Sequence, residues 1–551
     1  MMSRALNGLI LLALMLLVAL PLLFIVLQAL FPQLGEGNWS GAFSALPALF
    51  EDPQLVPMWL GTLKIGGGVA LCSLLLGLPL GALRGLFRLP GAAMWDLLFL
   101  IPFLTPPYIV ALSWTLALQR NGYLQQLTGF NLDSLLFSST GMTLVMTLNI
   151  FPVVYFAVSR SLMASGQRLA WVARVHGASA WRAFAQITLP LTLPALAGGV
   201  LLAFTLAIEE YGVPAALGTQ AHLTLMTVGI ETKLADWPID LPGAASLSLM
   251  LSLVALTAWF LQRKLTGSSD VTAVNGKPVV QELAEGGRWL PLMLLPFILT
   301  VLLAVVLPLG AMTLSGLLNT LSGGLHLDNL TLRHFGALFS QQGDALAAFS
   351  TSIGLALGAA LLTGLLGFLI AWRVSEGKTR LLAMMDGLAL LPAAMPGVVI
   401  GVGLILLWNR GFWPVSPYNT MFILLLSYSC LLLPWPVRYV SSALRQLAPT
   451  LEPAARVHGA SRMQALRLIV LPLVAPSLLA AMMMVFAVAS RELVTSLLLA
   501  PAGTQTVAIF IWRQFEQGSV GQGMAMATVT LLASLTLMLG ATMLMQRQGN
   551  K

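Results

Sequence analysis

Charged residues are scarce in this chain of 551 residues. Asp, Glu, Lys and Arg make up only 9% of the sequence, whereas hydrophobic residues make up 58%. Soluble domains average about 25% charged residues, so the composition excludes an ordinary globular cytosolic protein. Runs of roughly 20 apolar residues recur along the chain, which is the length that a helix needs to cross about 30 Å of hydrocarbon. We therefore predict an all-α, polytopic membrane protein.

Cysteine and the usual catalytic signatures are also lacking. The two cysteines, Cys72 and Cys430, lie far apart in apolar segments, which argues against a disulfide framework or a metal site. No Gly-x4-Gly-Lys-Ser/Thr loop occurs, so the chain has no such cradle for ATP phosphates. The loops contain no cluster of His and Asp and no nucleophile constellation. We predict a protein that is not an enzyme and that holds no cofactor and no metal.

Twelve apolar stretches predict twelve transmembrane helices in two sets of six. The first stretch, residues 6–31, is too long for the core of a signal peptide, so we expect it to be retained. A polar, exposed linker at residues 266–288 separates a first half, residues 1–265, from a second half, residues 289–551. The spans are expected to start near Leu6, Met58, Ala92, Thr140, Leu193, Gly243, Trp289, Leu346, Leu382, Tyr418, Val474 and Val520.

The basic residues predict the orientation. With the N-terminus in the cytoplasm, most Lys and Arg residues fall on the inner side, as the positive-inside rule requires. The outer loops hold acidic residues such as Glu231, Asp236 and Asp240. The basic residues placed outside are Arg120, Lys233, Arg333, Arg410 and Arg513. This partition predicts both termini in the cytoplasm and accounts for the net charge of +8 without nucleic acid as a partner.

The two halves repeat one another. Residues 174–179, Arg-Val-His-Gly-Ala-Ser, recur letter for letter at residues 456–461. Residues 187–190 (Ile-Thr-Leu-Pro) likewise match residues 469–472 (Ile-Val-Leu-Pro). Both copies lie between the fourth and fifth spans of their half, and six spans is an even number, so both copies face the cytoplasm. The halves therefore form a parallel repeat about an axis normal to the membrane.

Each repeated loop is predicted to turn at a glycine. Gly177 and Gly459 interrupt a helical pattern and allow a sharp turn between two short helices. Apolar residues follow at helical spacing, and Pro190 and Pro472 predict the end of that helix before the next span. We expect a short amphipathic helix along the cytoplasmic surface, which would suit a groove on a partner protein.

This pattern resembles the EAA loop of ABC importer permeases, whose consensus is Glu-Ala-Ala, three residues, Gly, nine residues, Ile, any residue and Leu-Pro. Both copies keep the spacing from glycine to Leu-Pro, but the front reads Trp-Val-Ala at residues 171–173 and Pro-Ala-Ala at residues 453–455. In the second copy the acidic residue, Glu452, lies one place early.

The resemblance implies a type I ABC importer permease fold and a pair of cytoplasmic ABC ATPase subunits. These subunits would bind the first repeated loop, residues 168–190, and the second repeated loop, residues 450–472. The predicted ATPase-coupling residues are Arg174, His176, Gly177, Ala178, Ile187, Leu189 and Pro190 in the first loop, and Glu452, Ala454, Ala455, Arg456, His458, Gly459, Ala460, Ile469, Leu471 and Pro472 in the second. For His176 and His458 we favour a hydrogen-bonding role over a ligand role.

The fused two-half arrangement is similar to the permeases of ferric-iron importers. Residues 100–108, 391–397, 442–447 and 491–499 carry this resemblance. It implies a multi-pass protein of the bacterial inner membrane that receives its solute from a periplasmic binding protein. Ferric iron is the favoured solute, with thiamine, aminoethylphosphonate, polyamines and sulfate as alternatives because their permeases share the same plan.

Several ionisable residues fall inside the predicted spans: Lys64, Glu209, Glu210, Arg491 and Glu492. A charge at mid-bilayer costs about 2.5–3.5 kcal/mol on insertion scales, so such residues usually face a cavity or a partner. Our hypothesis is that the three glutamates line or gate the translocation path, with Arg491 as the counter-charge. The alternative is that they lie near the outer ends of their spans and only pack. Lys64 is expected to snorkel to the surface.

A proton-driven secondary transporter of the major-facilitator type is the competing interpretation, because it too has twelve spans in two parallel halves. Such proteins carry a Gly/Asp/Arg-rich loop between their second and third spans. The corresponding residues 84–90, Arg-Gly-Leu-Phe-Arg-Leu-Pro, lack the acidic residue. This difference favours the importer permease.

Overall fold

The computed structural model describes residues 2–165, 168–267, 283–340, 344–377, 379–447 and 450–549. Most of the predicted linker lies outside the described residues. Within them the chain is helical almost throughout, as predicted, and the strands there are the short parallel pair Phe87–Arg88 and Ala284–Glu285.

The described part of the chain contains eight helices that are long and apolar enough to cross a membrane. They are Ala5–Leu30, Leu55–Leu86, Ala180–Glu209, Leu241–Thr266, Gly287–Leu317, Asp344–Ser375, Arg462–Ala489 and Val520–Leu537. Four helix pairs are bent by more than 40° at a short break, and the count reaches the predicted twelve if each pair is one span. The pairs are Ala92–Leu104 with Pro107–Thr128, Ser139–Ile150 with Pro152–Met163, Arg380–Ala394 with Gly397–Trp408, and Met421–Leu432 with Pro434–Gln446.

Shorter helices lie between these segments. They are Ala45–Glu51, Asp133–Leu136, Arg168–Val175, Gly212–Leu217, Met226–Ala235, Arg333–Ala337, Leu451–Val457, Val494–Leu499 and Val507–Glu516.

The third predicted span of each half is sharply broken. The bend is 94° between Ala92–Leu104 and Pro107–Thr128, and 117° between Arg380–Ala394 and Gly397–Trp408. A proline at the break has no N–H to continue the helical ladder, so nearby carbonyls lose their partners. At the first break the buried Asn149 side chain supplies a hydrogen-bond donor in place of a missing N–H, because its Nδ2 donates to the carbonyl of Pro102 over 2.5 Å. Non-helical backbone inside a membrane protein requires this kind of internal partner.

The helices group into two compact units that interleave along the sequence. Unit 1 comprises Met1–Asp52, Ile230–Ser252 and Thr331–Lys551, and unit 2 comprises Pro53–Gly229 and Leu253–Leu330. The first span of the first sequence half is thus part of unit 1, and the first span of the second sequence half is part of unit 2. The division into sequence halves at residues 265 and 289 stays a prediction.

In unit 2, helix Leu55–Leu86 packs against Pro152–Ser165 through a stripe of glycines. A Cβ added at Gly77, Gly81 or Gly85 would lie 2.8, 2.8 or 2.7 Å from an atom of that helix. Small residues spaced four apart allow two membrane helices to approach this closely.

In unit 1, helix Asp344–Ser375 packs against Pro434–Gln446 and Leu471–Ala489. The N-terminal helix contributes to this unit through Leu20–Leu30, which packs against Gly397–Trp408. Arg410 joins the same elements, because its guanidinium donates to the Gln28 Oε1 over 2.8 Å and to the carbonyl of Leu34 over 2.7 Å.

Candidate functional site

The first repeated loop folds as two helices joined by a left-handed turn. Helix Arg168–Val175 ends two residues before Gly177, whose φ of +91° favours glycine over any residue with a Cβ. The Ala178 N–H donates to the carbonyl of Ala173 over 2.9 Å and closes the turn. Ser179 then caps the next helix, because its side-chain oxygen accepts from the Arg182 N–H.

The second repeated loop has the same geometry in unit 1. Helix Leu451–Val457 ends two residues before Gly459, which has a φ of +89°. The Ala460 N–H donates to the carbonyl of Ala455 over 3.0 Å, as its counterpart does in the first loop. Ser461 and Gln464 form a reciprocal capping box at the start of the following helix. The predicted turn at each glycine is therefore present in both loops.

Both loops expose apolar side chains at equivalent positions. Val175 is 83% exposed and Val457 is 84% exposed. Four residues after each of these glycines, the matching Trp181 and Met463 are 74% and 51% exposed. Large apolar side chains held in water on a folded turn are typical of protein interaction sites. The two loops thus expose the same positions.

The prolines do not end the helices, contrary to our prediction. Pro190 and Pro472 each lie at the start of an α-helical segment that continues a helix from the loop, so Ala180–Glu209 and Arg462–Ala489 are unbroken helical runs. A π-helical turn, Phe184–Thr188 or Leu466–Val470, precedes each proline. The wider turn accommodates the missing proline N–H and lets the helix continue. The loop helix and the span are consequently one element.

The other predicted coupling residues are distributed alike in both loops. Exposed residues are Arg174, His176, Pro190, Ala454, Arg456, His458 and Pro472, and half-buried residues are Ala178, Ile187, Leu189, Ala455, Ala460, Ile469 and Leu471. The Glu452 backbone belongs to helix Leu451–Val457, but its side chain lies outside the described residues. The coupling role of all these residues stays a prediction.

The predicted intramembrane glutamates lie at the ends of their helices. Helix Leu189–Glu209 stops just before Glu210, and helix Leu471–Ala489 stops three residues before Glu492. The Glu210 Oε1 accepts from the Gly212 N–H over 2.7 Å, and the Glu492 Oε1 accepts from the Thr495 N–H over 3.1 Å. Equivalent carboxylates thus cap equivalent short helices in the two units.

Three further charged residues were singled out from the sequence. The Glu209 Oε1 is buried and accepts no hydrogen bond from the residues that the structure describes. Arg491 is buried at 8% exposure, beside Glu492 in the chain. Lys64 is exposed on helix Leu55–Leu86, and its snorkelling to the membrane surface stays a prediction.

The family follows from sequence comparison. The chain matches the family described as binding-protein-dependent transport system inner membrane component over residues 73–266 and 363–549. The two matches cover more than half of the chain, and each contains one repeated loop. The chain belongs to this permease family. The prediction of an importer permease is thereby confirmed, with one family match in each half of the sequence. A secondary transporter is not favoured.

Three relatives show the range of the permease family around this chain. The permease is 26% identical to the ferric transport system permease protein FbpB of Actinobacillus pleuropneumoniae over 87% of its own length and 69% of the relative's. It is 23% identical to the Fe(3+)-transport system permease protein FbpB 2 of Haemophilus influenzae over 94% and 93% of the two chains. The putative 2-aminoethylphosphonate transport system permease protein PhnV of Salmonella typhimurium is 28% identical over 44% of the permease and 91% of itself.

Sequence reasoning missed the positioning role of Asn149. The residue is polar, buried and inside an apolar stretch, but no repeated motif marks it. Only the broken helix, whose carbonyls Pro102 and Thr105 it reaches, explains why an amide is needed there. The nearby prolines were the available signal, because a proline inside a span leaves carbonyls in need of a donor.

Proposed function

We propose that the permease is the transmembrane subunit of an ATP-driven importer and that a cytoplasmic ABC ATPase binds each repeated loop. The observation that carries the proposal is the matched pair of helix–turn–helix loops with exposed apolar residues at equivalent positions. The permease has no phosphate-binding loop of its own, so ATP hydrolysis requires separate subunits. Two similar loops call for two copies of one ATPase.

The proposed setting is the bacterial inner membrane, with both termini and both repeated loops in the cytoplasm. This orientation is supported by the positive-inside distribution of Lys and Arg. A periplasmic binding protein would deliver the solute to the acidic outer loops. ATP binding would draw the two ATPases together and move the repeated loops, and this movement would shift the balance between outward-open and inward-open arrangements.

Charge substitutions at the exposed valines test the binding of the ATPase. Val175→Glu and Val457→Glu should each lower the amount of ATPase that co-purifies with the permease by about tenfold, because a carboxylate would have to be desolvated in an apolar interface. Val415→Glu is the matched control, since Val415 is 82% exposed on a loop outside the repeated loops. Equal ATPase recovery for all three variants would reject the assignment of the repeated loops.

We propose ferric iron as the solute. The relatives that match most of the permease's length are named as ferric transport permeases, whereas the 2-aminoethylphosphonate relative matches less than half of it. The test is uptake of radiolabelled ferric ion by cells that express the permease with its ATPase and binding protein. Excess thiamine, 2-aminoethylphosphonate, polyamine or sulfate should leave this uptake unchanged. If the cells take up one of these solutes and no iron, that solute and not ferric iron is the one that the permease imports.

We further propose that Glu209, Glu210, Arg491 and Glu492 line or gate the translocation path. The support is their position at the ends of equivalent helices and the buried Glu209 oxygen without a partner among the described residues. Gln at positions 210 and 492 keeps an oxygen that can cap the short helix but removes the charge. Glu210→Gln and Glu492→Gln should therefore preserve expression and lower uptake. Normal uptake at normal expression would reject the gating role.

A further inference from the structure

An ion-pair cluster lies beside the second repeated loop in unit 1. Glu376 follows the last turn of helix Asp344–Ser375, and its carboxylate pairs with Arg373 of that helix and with Arg462 of the loop. The side chains of Arg373 and Glu376 are only 9% and 17% exposed, and that of Arg462 is 31% exposed. Ion pairs shielded to this extent hold their geometry better than pairs in open water.

The same cluster extends in two further directions. The Arg462 guanidinium lies 5.1 Å from the centre of the Trp372 ring, a cation–π distance, and Trp372 is 4% exposed. The Arg373 Nε donates to the Asn7 Oδ1 over 2.8 Å. A continuous chain of contacts therefore runs from the second repeated loop through helix Asp344–Ser375 to the N-terminal helix Met2–Leu14.

The turn of the second repeated loop also borders a cavity. A cavity of about 1310 Å³ is lined by Trp372, Glu376, Arg456, Gly459 and Arg462 among others. Apolar packing of Leu466 and Val470 against Phe368 and Ala371 involves the helix after the turn rather than the turn itself. The ion pair of Glu376 with Arg462 thus lies in the lining of this cavity, next to the end of the turn.

The first repeated loop has no equivalent cluster among the residues that the structure describes. Helices Leu55–Leu86 and Asp344–Ser375 are both 32 residues long, and each has an arginine two residues before its end. When the two helices are aligned at these arginines, Phe87 occupies the position of Glu376. When the two repeated loops are aligned at their glycines, Ala180 occupies the position of Arg462. Arg84 instead pairs over 2.8 Å with Asp96, a residue of helix Ala92–Leu104.

From this asymmetry we propose that Glu376 couples the second repeated loop to helix Asp344–Ser375 and the N-terminal helix, so that the two loops transmit ATPase movement unequally. The inference rests on the proposed binding of an ATPase to the repeated loops. Glu376 is a positioning residue, because it acts through Arg462 and Arg373 and not on the solute. Loss of its charge leaves two arginines without their shared partner and frees the loop to move without the helix.

The test is the number of ferric ions imported per ATP hydrolysed, measured on the permease reconstituted in proteoliposomes with its ATPase and loaded binding protein. Glu376→Gln should lower this ratio by about fivefold, the lower end of typical coupling effects, while the ATPase still co-purifies. Arg462→Gln should do the same, and the double variant should be no worse than either single one. The matched control in the other unit is Asp96→Asn, which removes the ion pair of Arg84 and should leave the ratio unchanged.

An unchanged ratio in Glu376→Gln with the ATPase still bound would overturn the inference alone. If Glu376→Gln does not fold, Arg462→Gln decides the matter in the same assay, since Arg462 is the most exposed member of the ion pairs. A wild-type permease that binds no ATPase would instead overturn the proposed function. An equal loss of the ratio in Asp96→Asn would also contradict the inferred inequality of the two loops.

Discussion

Gly177 and Gly459 determine the geometry of the repeated loops, because each adopts a left-handed backbone with open space around the missing side chain. Gly459→Ala should weaken the turn by about 1–2 kcal/mol through backbone strain alone. The measurement is recovery of the ATPase with the permease together with the melting temperature of the permease in detergent. Gly387→Ala is the control, since Gly387 also has open space but lies within helix Arg380–Leu390 without a positive φ. Equal ATPase recovery and equal melting temperatures for the two variants would show that ATPase binding does not need the left-handed turn.

Glu231 gives a prediction about pH. Burial raises the pKa of its carboxyl above the usual value, and the nearby Asp236 and Glu516 raise it further. When the pKa of an acid is higher in the folded state than in the unfolded state, protonation of that acid stabilises the folded state. The contribution of Glu231 to the free energy of unfolding is therefore fully present at acidic pH. That contribution is lost as the pH rises through the raised pKa.

Glu231→Gln should therefore raise the melting temperature of the permease at pH 7 to 8 and leave it unchanged near pH 4. The measurement is thermal unfolding in detergent across this pH range. A variant that is less stable than the wild type at pH 8 would contradict the assignment.

At the residue scale the sequence predicted part of the candidate site. The letter-for-letter repeat at residues 174–179 and 456–461 located both turns and both glycines. It did not predict that Glu210 and Glu492 cap short helices, because a cap depends on where the preceding helix ends. The Glu376 cluster was equally hidden, since its partners Arg373 and Arg462 lie 89 positions apart in the sequence and no repeated motif links them.

At the scale of the elements, the glycine stripe of helix Leu55–Leu86 sets the distance to its neighbour. A Cβ at Gly81 would lie 2.8 Å from the backbone oxygen of Tyr155. Gly81→Ala should therefore destabilise the permease by about 1–3 kcal/mol through overpacking. Gly67→Ala, in the same helix with open space, should be neutral or stabilising because alanine favours helix. Comparable melting temperatures for the two variants would show that the helices can separate without cost.

The membrane helices were predictable in number and approximate position but not in shape. Apolar runs mark the spans because the bilayer core requires about 20 apolar residues. The bends of 94° and 117° and the π-helical turns before Pro190 and Pro472 depend on which carbonyls find other partners. That information is tertiary, as the hydrogen bond from Asn149 to the Pro102 carbonyl beside the first break shows. The sequence alone therefore predicts a helix end at Pro190 and Pro472, where the structure has a helix that continues.

At the scale of the whole molecule, the repeat in the sequence differs from the compact units in the structure. The residues of Ala5–Leu30 belong to unit 1, whereas those of Gly287–Leu317 belong to unit 2. A hydropathy pattern shows where a span begins and ends but not which neighbour it packs against. The N-terminal helix in unit 1 is also the element that Asn7 connects to Arg373.

We propose that ATP hydrolysis by bound ATPases drives import through this permease. The direct measurement is ferric-ion uptake into proteoliposomes that contain the permease and its ATPase, with the loaded binding protein on the opposite face. We predict that uptake requires both hydrolysable ATP and the binding protein and persists when an uncoupler collapses the proton gradient. Uptake by the permease alone, driven by a proton gradient and indifferent to ATP, would contradict the account.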